Sequence, residues 1–399
     1  MNIVDSRQAW LRLAISLLIG TIGSVGFWSF VVALPAVQAE FGATRAEASL
    51  PYTLTMVGFA FGGVGMGWLV DRFGLLPPLI IGAAAIGLGY CAAGLAPNLL
   101  MFSLAQGLLI GAGTSVFFGP ILADISHWFS RRVGLAVTIC SSGNYVAGAL
   151  WPPVLQHFIE TSGWRATHIG VGIFCFVTML PLAFLLRARA PIAATNAQAQ
   201  AAAAASLPVT PTMLIVLLAI AGFACCVAMS MPQVHLVAYC ADLGYGPAKG
   251  AEMLSVMLGL GIISRIASGL LADRIGGLTT LLIGSGAQGV ALFLYLWFDG
   301  LTSLFVISAI FGLFQGGIIP MYALIVREYF APQKAGSTLG IIMMTTLFGM
   351  AVGGWMSGLV FDLTGSYRMA FLNGLVWNLL NLAIVAFLMM RRRPAPAMA

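Results

Sequence analysis

A short pattern of the form G-x-L-x-D-R-x-G occurs twice in this chain, at residues 67–74 and again at residues 269–276. Each copy follows a long apolar run and opens a short charged loop. A pattern that recurs at equivalent places in two hydrophobic stretches indicates two related bundles of membrane-spanning helices.

Other landmarks repeat in the same order and at nearly the same spacing. Residues 39–42 read Ala-Glu-Phe-Gly, and residues 241–244 read Ala-Asp-Leu-Gly. The aromatic pair at 128–129 corresponds to the pair at 329–330, and residues 163–165 correspond loosely to residues 366–368. Matches in one order favour an internal duplication, which is typical of membrane transporters.

The composition indicates an integral membrane protein. Of the 399 residues, 60% are hydrophobic and 8% are charged, whereas a soluble domain carries about 25% charged residues. Because a transmembrane helix needs about 20 apolar residues, we predict an all-α fold of 12 transmembrane helices in two six-helix bundles related by pseudo-two-fold symmetry. The predicted helices cover residues 11–35, 46–70, 77–96, 99–124, 133–157, 167–187, 211–239, 250–272, 278–297, 301–326, 335–360 and 368–390.

One low-complexity stretch divides these helices into two groups of six. Residues 193–205 are almost entirely Ala, Gln, Asn and Thr, and they lie between Pro191 and Pro208. Such a composition is typical of a linker. We predict a first bundle over 1–188, a cytoplasmic linker over 189–210 and a second bundle over 211–399.

The basic residues predict the orientation. Most lysines and arginines fall in the termini and in the even-numbered connections, and the opposite loops hold only Arg45, Arg165, Lys249 and Arg368. By the positive-inside rule, both termini are cytoplasmic, in a multi-pass protein of the cell inner (plasma) membrane. The net charge of +6 is therefore a topology signal, and we expect no nucleic-acid partner.

No pattern indicates an enzyme. The G-x-G-x-x-G match at 284–289 lies inside an apolar run with no preceding strand, so it does not indicate a dinucleotide site. The six cysteines lack metal-ligand spacing. We expect no catalytic residue, metal or cofactor. The expected partner is the lipid bilayer, with a monomer as the functional unit.

Arg265 is the strongest candidate for a substrate contact. It lies eight residues before Asp273, at the end of the predicted helix, and so about 12 Å deeper in the membrane. All twelve acids lie in loops or near helix ends, so the negative charge that such an arginine needs can come from a substrate carboxylate. The alternative is that Arg265 bonds backbone carbonyls or polar side chains of neighbouring helices.

Further candidates for substrate binding lie at similar or shallower depth. His235 is a possible proton carrier or second substrate contact, or else a packed histidine. Asn144 and Tyr145 could line the cavity from the first bundle or bond between helices. Phe27 and Trp28 could form the wall of a pocket for an organic anion or pack in the core.

The repeated pattern predicts two gates on the cytoplasmic side. Arg72 is expected to meet Asp124, and Arg274 is expected to meet Glu328, so that these pairs close the inner side and break as the bundles move. In the alternative, the pattern only holds its loops in place. The predicted gating residues are Gly67, Asp71, Arg72, Asp124, Gly269, Asp273, Arg274 and Glu328.

The pattern after the second and eighth helices resembles the signature loop of the major facilitator superfamily. Residues 128–136 read Trp-Phe-Ser-Arg-Arg-Val-Gly-Leu-Ala and precede Gly143. They are similar to the fifth-helix signature of monocarboxylate transporters and their bacterial oxalate/formate-exchanger relatives, and residues 361–368 are similar to the segment before their last helix. Arg265 falls where that family has its substrate-binding arginine, so the resemblance implies transport of small carboxylates.

The chain also departs from these relatives. Animal monocarboxylate transporters have an aspartate one turn before the arginine, where this chain has Gly261, and a lysine in the first helix, where Ala36 stands. The eleventh helix lacks the lysine of the oxalate exchanger, and one buried positive charge suits a monoanion. The expected function is secondary active transport of a lactate- or pyruvate-like anion by alternating access, with proton coupling left open. The alternatives are an oxalate/formate-type exchanger and a polyspecific efflux carrier.

Overall fold

The chain is helical along nearly all of its described length. The structure is a computed structural model and describes residues 4–130, 132–188, 210–330 and 332–391. All but the last residue of the predicted linker lie outside the described residues. So do Arg131, Arg392 and Arg393, which are among the basic residues that predict the orientation. Eleven helical segments of the described chain are long and apolar enough to cross a membrane.

The first half comprises residues 4–188. Its helices are α1 (Arg7–Gly23), α2 (Val25–Phe41), α3 (Arg45–Phe73), α4 (Leu76–Gly94), α5 (Leu99–Leu104), α6 (Ala112–Ser115), α7 (Gly119–Ser126), α8 (Val133–Ser141) and α9 (Gly143–Leu185). A π-helix at Ala105–Gly111 connects α5 and α6. The interrupted runs α1–α2 and α5–α7 each form one apolar segment, Arg7–Phe41 and Leu99–Ser126.

The second half comprises residues 210–391. Its helices are α10 (Pro211–Asp242), α11 (Pro247–Ile275), α12 (Gly277–Tyr295), α13 (Leu301–Gln315), α14 (Ile318–Tyr329), α15 (Pro332–Thr364) and α16 (Tyr367–Arg391). The pair α13–α14 forms the single apolar segment Leu301–Tyr329.

One segment accounts for the difference between eleven segments and twelve predicted helices. Gly134–Leu185 contains 52 residues, which would extend about 78 Å as one helix, more than twice the hydrocarbon thickness. It bends at Gly163, whose φ of 79° and ψ of 157° lie outside the helical region and are accessible to glycine. The described chain therefore crosses twelve times, six in each half, and the predicted all-α membrane fold is confirmed.

The two copies of G-x-L-x-D-R-x-G end equivalent helices. The first copy covers the last turns of α3, and the second covers the last turns of α11. Their final glycines, Gly74 and Gly276, follow the helices with φ of 82° and 83°. Other residues are strained in this conformation, which explains why both copies end in glycine.

The halves meet along two antiparallel helix pairs. Because the number of crossings is even, both ends of the described chain lie on one side, which we call the terminal face, and we call the opposite side the distal face. In the first pair, α3 packs on α15, where Thr53 Oγ1 donates to the Ala351 carbonyl at 3.0 Å. In the second pair, α9 packs on α11, where Ser255 Oγ donates to the Ala149 carbonyl. Each pair joins a pattern-bearing helix to a helix of the other half.

Glycines along these pairs show where the halves touch. Towards the distal face, a Cβ at Gly358 would lie 2.8 Å from the Arg45 carbonyl oxygen, and one at Gly354 would lie 3.0 Å from the Tyr52 ring. Towards the terminal face, four glycines would have nothing within 4 Å of an added Cβ: Gly67, Gly134, Gly269 and Gly340. The close contacts between the halves therefore lie on the distal side and, at Gly148 and Gly261, near the middle of the α9–α11 pair, and none of these four terminal-side glycines makes one.

Glycine at position 58 allows α3 to approach the π-helix, and we expect Gly58→Ala to disturb this packing. The added methyl group would overlap the Gly107 carbonyl, so the helices must move apart at an expected cost of about 1–3 kcal/mol. The control is Gly65→Ala on the same helix, where an added Cβ meets nothing within 4 Å. Thermal unfolding of the purified protein in detergent should show a lower Tm for Gly58→Ala alone, and equal Tm values would contradict the packing argument.

Candidate functional site

Two interrupted helices flank Arg265, one from each half. In the first half, α8 ends at Ser141 and α9 begins at Gly143. In the second half, α13 ends at Gln315 and α14 begins at Ile318. The last carbonyls of a helix have no partner within the helix and accept bonds from other groups. Each interruption therefore offers acceptors inside the membrane.

Arg265 bonds a carbonyl at both interruptions. Its Nη1 donates to the Ser141 carbonyl at 2.8 Å, and its Nε donates to the Gly316 carbonyl at 3.2 Å. The residue is only 5% exposed. Because helix C-termini carry a partial negative charge, they stabilise a nearby cation. The second interruption is held by the adjacent Ser264, whose Oγ accepts a bond from the Gly317 N–H at 3.2 Å.

An aromatic ring covers the same guanidinium. The Cζ of Arg265 lies 4.5 Å from the centre of the Tyr145 ring, a geometry that stabilises a desolvated cation by about 2 kcal/mol. A Cβ at Gly261 would overlap this ring, so Tyr145 fills the space beside that glycine. None of the ion pairs among the described residues involves Arg265. The charge is thus compensated by carbonyl oxygens and a ring face.

The first half contributes an aromatic wall near Tyr145. The Trp28 indole N–H donates to the Asn144 carbonyl at 3.2 Å, which joins α2 to α9. The Phe27 and Phe59 rings lie 4.7 Å apart, and the Phe59 and Phe118 rings lie 6.3 Å apart. The buried Asn144 Oδ1 has no hydrogen-bond partner within the described chain. The structure therefore places Tyr145 against Arg265 and joins Trp28 to Asn144 on the same helix as Tyr145, whereas Phe27 packs on Phe59.

His235 lies in a different part of the molecule. It is fully buried, and its Nε2 is 2.8 Å from the Gly354 carbonyl oxygen. This part of α10 passes α11 near Gly250, where an added Cβ would lie 3.1 Å from the Leu236 carbonyl oxygen. From Gly250 to Arg265, α11 extends about 22 Å at 1.5 Å per residue. A small carboxylate does not span this distance, so His235 and Arg265 do not form one site in this conformation.

Asp124 pairs with Arg12, and the predicted pairing of Arg72 with Asp124 is wrong in this structure. Arg12 Nε and Nη2 donate to the two carboxylate oxygens of Asp124 at 2.7 and 3.0 Å. The guanidinium also lies 4.5 Å from the Trp128 ring. The exposed Arg72 lies over its neighbour Trp68 at 5.4 Å. The physical reason is that Arg12, on a helix packed beside α7, already occupies both oxygens of Asp124.

The other predicted gating residues make few contacts on the terminal side. Five of them are exposed or have open space around them: Gly67, Asp71, Gly269, Asp273 and Arg274. Glu328 accepts a bond from the Gly277 N–H at 3.1 Å, where a carboxylate is favoured by the start of α12. The gating role of these residues and the pairing of Arg274 with Glu328 stay predictions.

Three residues at the distal end form a junction that sequence reasoning missed. The Arg45 and Ala46 N–H groups, at the start of α3, donate to the Asp362 carboxylate at 2.8 and 2.7 Å. Arg45 Nη2 donates to Asp242 at 2.7 Å. We call Arg45, Asp242 and Asp362 the distal junction. A signal was present, because residues 241–244 are a repeat landmark and residues 361–368 carry the family resemblance, but neither predicts which helix ends meet.

Known proteins match the chain over most of its length. The sequence profile of the Major Facilitator Superfamily matches residues 16–307 and 289–398. Bovine "Monocarboxylate transporter 13" is 27% identical over 364 residues, which cover 89% of this chain and 82% of that protein. The "Uncharacterized MFS-type transporter YcxA" of Bacillus subtilis is 26% identical over 349 residues, 84% of this chain and 83% of that protein.

A solved structure has the same fold. It is a bacterial homologue of the human lysosomal transporter Spinster in an inward-facing and occupied conformation. The TM-score is 0.76, with 98% of this chain and 100% of that chain covered, at 14% identity. The family profile, the twelve helical crossings and this likeness in fold agree. The chain therefore belongs to the Major Facilitator Superfamily, and it is a membrane transporter and not an enzyme.

Proposed function

We propose that this transporter carries a small monocarboxylate, such as lactate or pyruvate, between its two halves. The observation that supports the proposal is Arg265, a buried guanidinium between two helix interruptions with no acidic partner among the described residues. The relatives named as monocarboxylate transporters support the same class of substrate.

The present bonds of Arg265 can be exchanged for bonds to a substrate. Both acceptors, at Ser141 and Gly316, are neutral carbonyl oxygens. A carboxylate accepts two parallel, charge-assisted bonds from one guanidinium, and such bonds are about twice as strong as neutral ones. A substrate carboxylate would therefore replace the Ser141 carbonyl, which belongs to the other half. In this way, binding would change the contact between the halves.

The surroundings of Arg265 favour a monoanion with an apolar body. A single guanidinium balances a single carboxylate, and the Tyr145 ring fills the space beside Gly261. The aromatic wall of Phe27, Trp28 and Phe59 suits the short carbon chain of such an acid. The oxalate/formate-type exchanger and the efflux carrier are kept as alternatives that transport assays separate.

Transport would proceed by alternating access, with the terminal face open in this conformation. The distal junction and the glycine contacts beside it join the halves on one side, whereas the terminal-side glycines have open space. Closure of the terminal face would bring the helix ends that carry Asp71 and Asp273 towards the opposite half. The excess of basic residues in the terminal-side loops supports a cytoplasmic terminal face in the cell inner membrane. We take the monomer as the functional unit.

Replacing Arg265 should weaken carboxylate binding. Arg265→Gln removes the charge, and the loss of charge-assisted bonds worth about 1.5–3 kcal/mol should weaken substrate binding about 10- to 150-fold. The measurements are thermal stabilisation by lactate, pyruvate and formate, and uptake of the labelled acids into proteoliposomes. Arg368→Gln is the control, because it removes an exposed guanidinium of the second half away from the proposed site.

Three outcomes of these assays and of a growth-resistance assay in cells distinguish the functions. Unchanged binding and uptake in Arg265→Gln would refute the anion site. Uptake that requires internal substrate would indicate exchange. Resistance to lipophilic compounds without uptake of any of the three acids would indicate the efflux carrier.

Arg12 is expected to stabilise the first half, and Arg72 is expected to be free for gating. Arg12→Gln leaves the carboxylate of Asp124, 7% exposed, without its partner and should lower the free energy of unfolding by about 3 kcal/mol. Arg72→Gln, at an exposed position, should change it by less than about 0.5 kcal/mol. Thermal unfolding of both variants tests the pairing, and a larger loss in Arg72→Gln would show that Arg72 is the partner of Asp124.

Where uptake is stimulated by an inward proton gradient, we expect the proton to travel with the substrate. The reason is the separation of His235 from Arg265 by about 22 Å along α11, together with the bond between His235 and the Gly354 carbonyl. His235→Gln should therefore keep the stimulation, as measured by lactate uptake with and without the pH gradient. Loss of the stimulation with uptake retained would instead assign the proton to His235.

A further inference from the structure

The N-terminus of α3 binds a carboxylate, and we call this binding position the seat. Two backbone N–H groups, of Arg45 and Ala46, donate to the two oxygens of the Asp362 carboxylate at 2.8 and 2.7 Å. Arg45 itself donates to a second carboxylate, Asp242, at 2.7 Å. The N-terminus of a long helix carries a partial positive charge and unpaired N–H groups, so helix and side chain both favour an anion here.

The guanidinium of this seat still has an unused donor. Arg45 is 6% exposed, and its buried Nε has no hydrogen-bond partner in the part of the chain that the structure describes. The guanidinium also lies 5.1 Å from the Phe361 ring and 5.8 Å from the Tyr367 ring. A buried guanidinium with a free N–H can hold a carboxylate through two parallel bonds. The seat therefore has more binding capacity than Asp242 uses.

The donors and the acceptors of this seat belong to different halves. Arg45 and Ala46 begin α3 in the first half, whereas Asp242 ends α10 and Asp362 lies near the end of α15 in the second half. Opening of the distal face must separate α3 from α10 and α15. Both aspartates then leave with the second half. The start of α3 is left facing the open mouth with the Arg45 guanidinium and two released N–H groups, beside its own capping carboxylate Glu47.

We propose that the start of α3, with Arg45 as its principal group, is an outer binding site that receives the substrate carboxylate when the distal face is open. Asp362 and Asp242 occupy this site in the distal-closed conformation. Closure returns the two aspartates, which displace the substrate carboxylate towards Arg265. The inference rests on the proposed function for the class of substrate, and it adds a second site and an order of events.

A junction that only locks the distal face would behave differently when mutated. Arg45→Gln and Asp362→Asn both remove closing contacts, so both should favour the distal-open conformation. If the distal junction only held the distal face closed, both variants should bind substrate added at the distal face more tightly. The reason is that the distal-open conformation, which can bind this substrate, is more populated in both. For a binding seat, Asp362→Asn still improves binding, but Arg45→Gln weakens it, since the ligand loses its guanidinium.

The test compares the apparent KM for labelled lactate added at the distal face of sealed vesicles. We expect Arg45→Gln to raise the KM about tenfold and Asp362→Asn to lower it about threefold, shifts that correspond to one charge-assisted bond lost and one competitor removed. Asp242→Asn should lower the KM in the same direction as Asp362→Asn. Asp299→Asn is the matched control, because its exposed pair with Arg368 lies within the second half on the same face.

Opening itself is measured without substrate. Ser49→Cys places a thiol under the closed junction, where Ser49 is fully buried next to Gly358, and an impermeant maleimide added at the distal face reports its exposure. Both Arg45→Gln and Asp362→Asn should increase this labelling. If Arg45→Gln fails to fold, Arg45→Lys, which keeps a charge without the Nε donor, should raise the KM by a smaller factor.

The outcomes separate this inference from the proposed function. A lower KM in both Arg45→Gln and Asp362→Asn, with uptake by the unaltered protein intact, would overturn the outer site and leave the proposed function standing. If the unaltered protein takes up no lactate, pyruvate or formate, while the labelling responds as expected, the proposed function fails and the outer site loses its ligand with it.

Discussion

The arrangement of this transporter depends on how one positive charge is stabilised inside the membrane. Arg265 has no carboxylate partner among the described residues, and it donates instead to the carbonyls of Ser141 and Gly316. Both carbonyls stand at interruptions where a helix ends within the membrane. Because one interruption belongs to each half, the bonds of a single side chain hold both halves. The ends of helices from both halves thus stabilise the buried charge.

The duplicated frame and the unique charges have different roles. The pattern-bearing helices α3 and α11 are equivalent, and each packs antiparallel on a helix of the other half. This symmetry allows one interface to open as the other closes. The charges break the symmetry, because α11 carries Arg265 in mid-membrane whereas α3 has Gly63 at the matching place. At the distal end, Arg45 of α3 corresponds to Pro247 of α11, so only one of the equivalent helices begins with a carboxylate seat.

Hydropathy and spacing were sufficient to predict the crossings and to place Arg265 well inside a helix. A run of about 20 apolar residues must span the bilayer, and the position of Arg265 before Asp273 determines how far into the membrane it lies. Hydropathy does not determine which way a helix is rotated, so it could not predict that Asp124 faces Arg12 and not Arg72. The bonds of Arg45 to Asp242 and Asp362 join residues far apart in the chain. Such pairs depend on how whole helices pack, which single-residue patterns do not record.

Among the residues that the structure describes, no acid pairs with Arg265, and this bears on how transport could be coupled. A carboxylate neighbour would have to be neutralised or displaced before an anionic substrate could take the guanidinium, because two carboxylates repel each other. In this chain Tyr145 fills the space beside Gly261, and a ring face stabilises the guanidinium without competing for all of its N–H groups. A substrate carboxylate then needs to displace only neutral carbonyls.

At the distal junction the situation is reversed, since Asp242 and Asp362 are charged competitors at Arg45. An anion would therefore bind weakly at the distal junction, where Asp242 and Asp362 compete for Arg45, and more tightly at Arg265, where only neutral carbonyls compete. This difference favours movement of the anion from the distal mouth to the centre of the molecule.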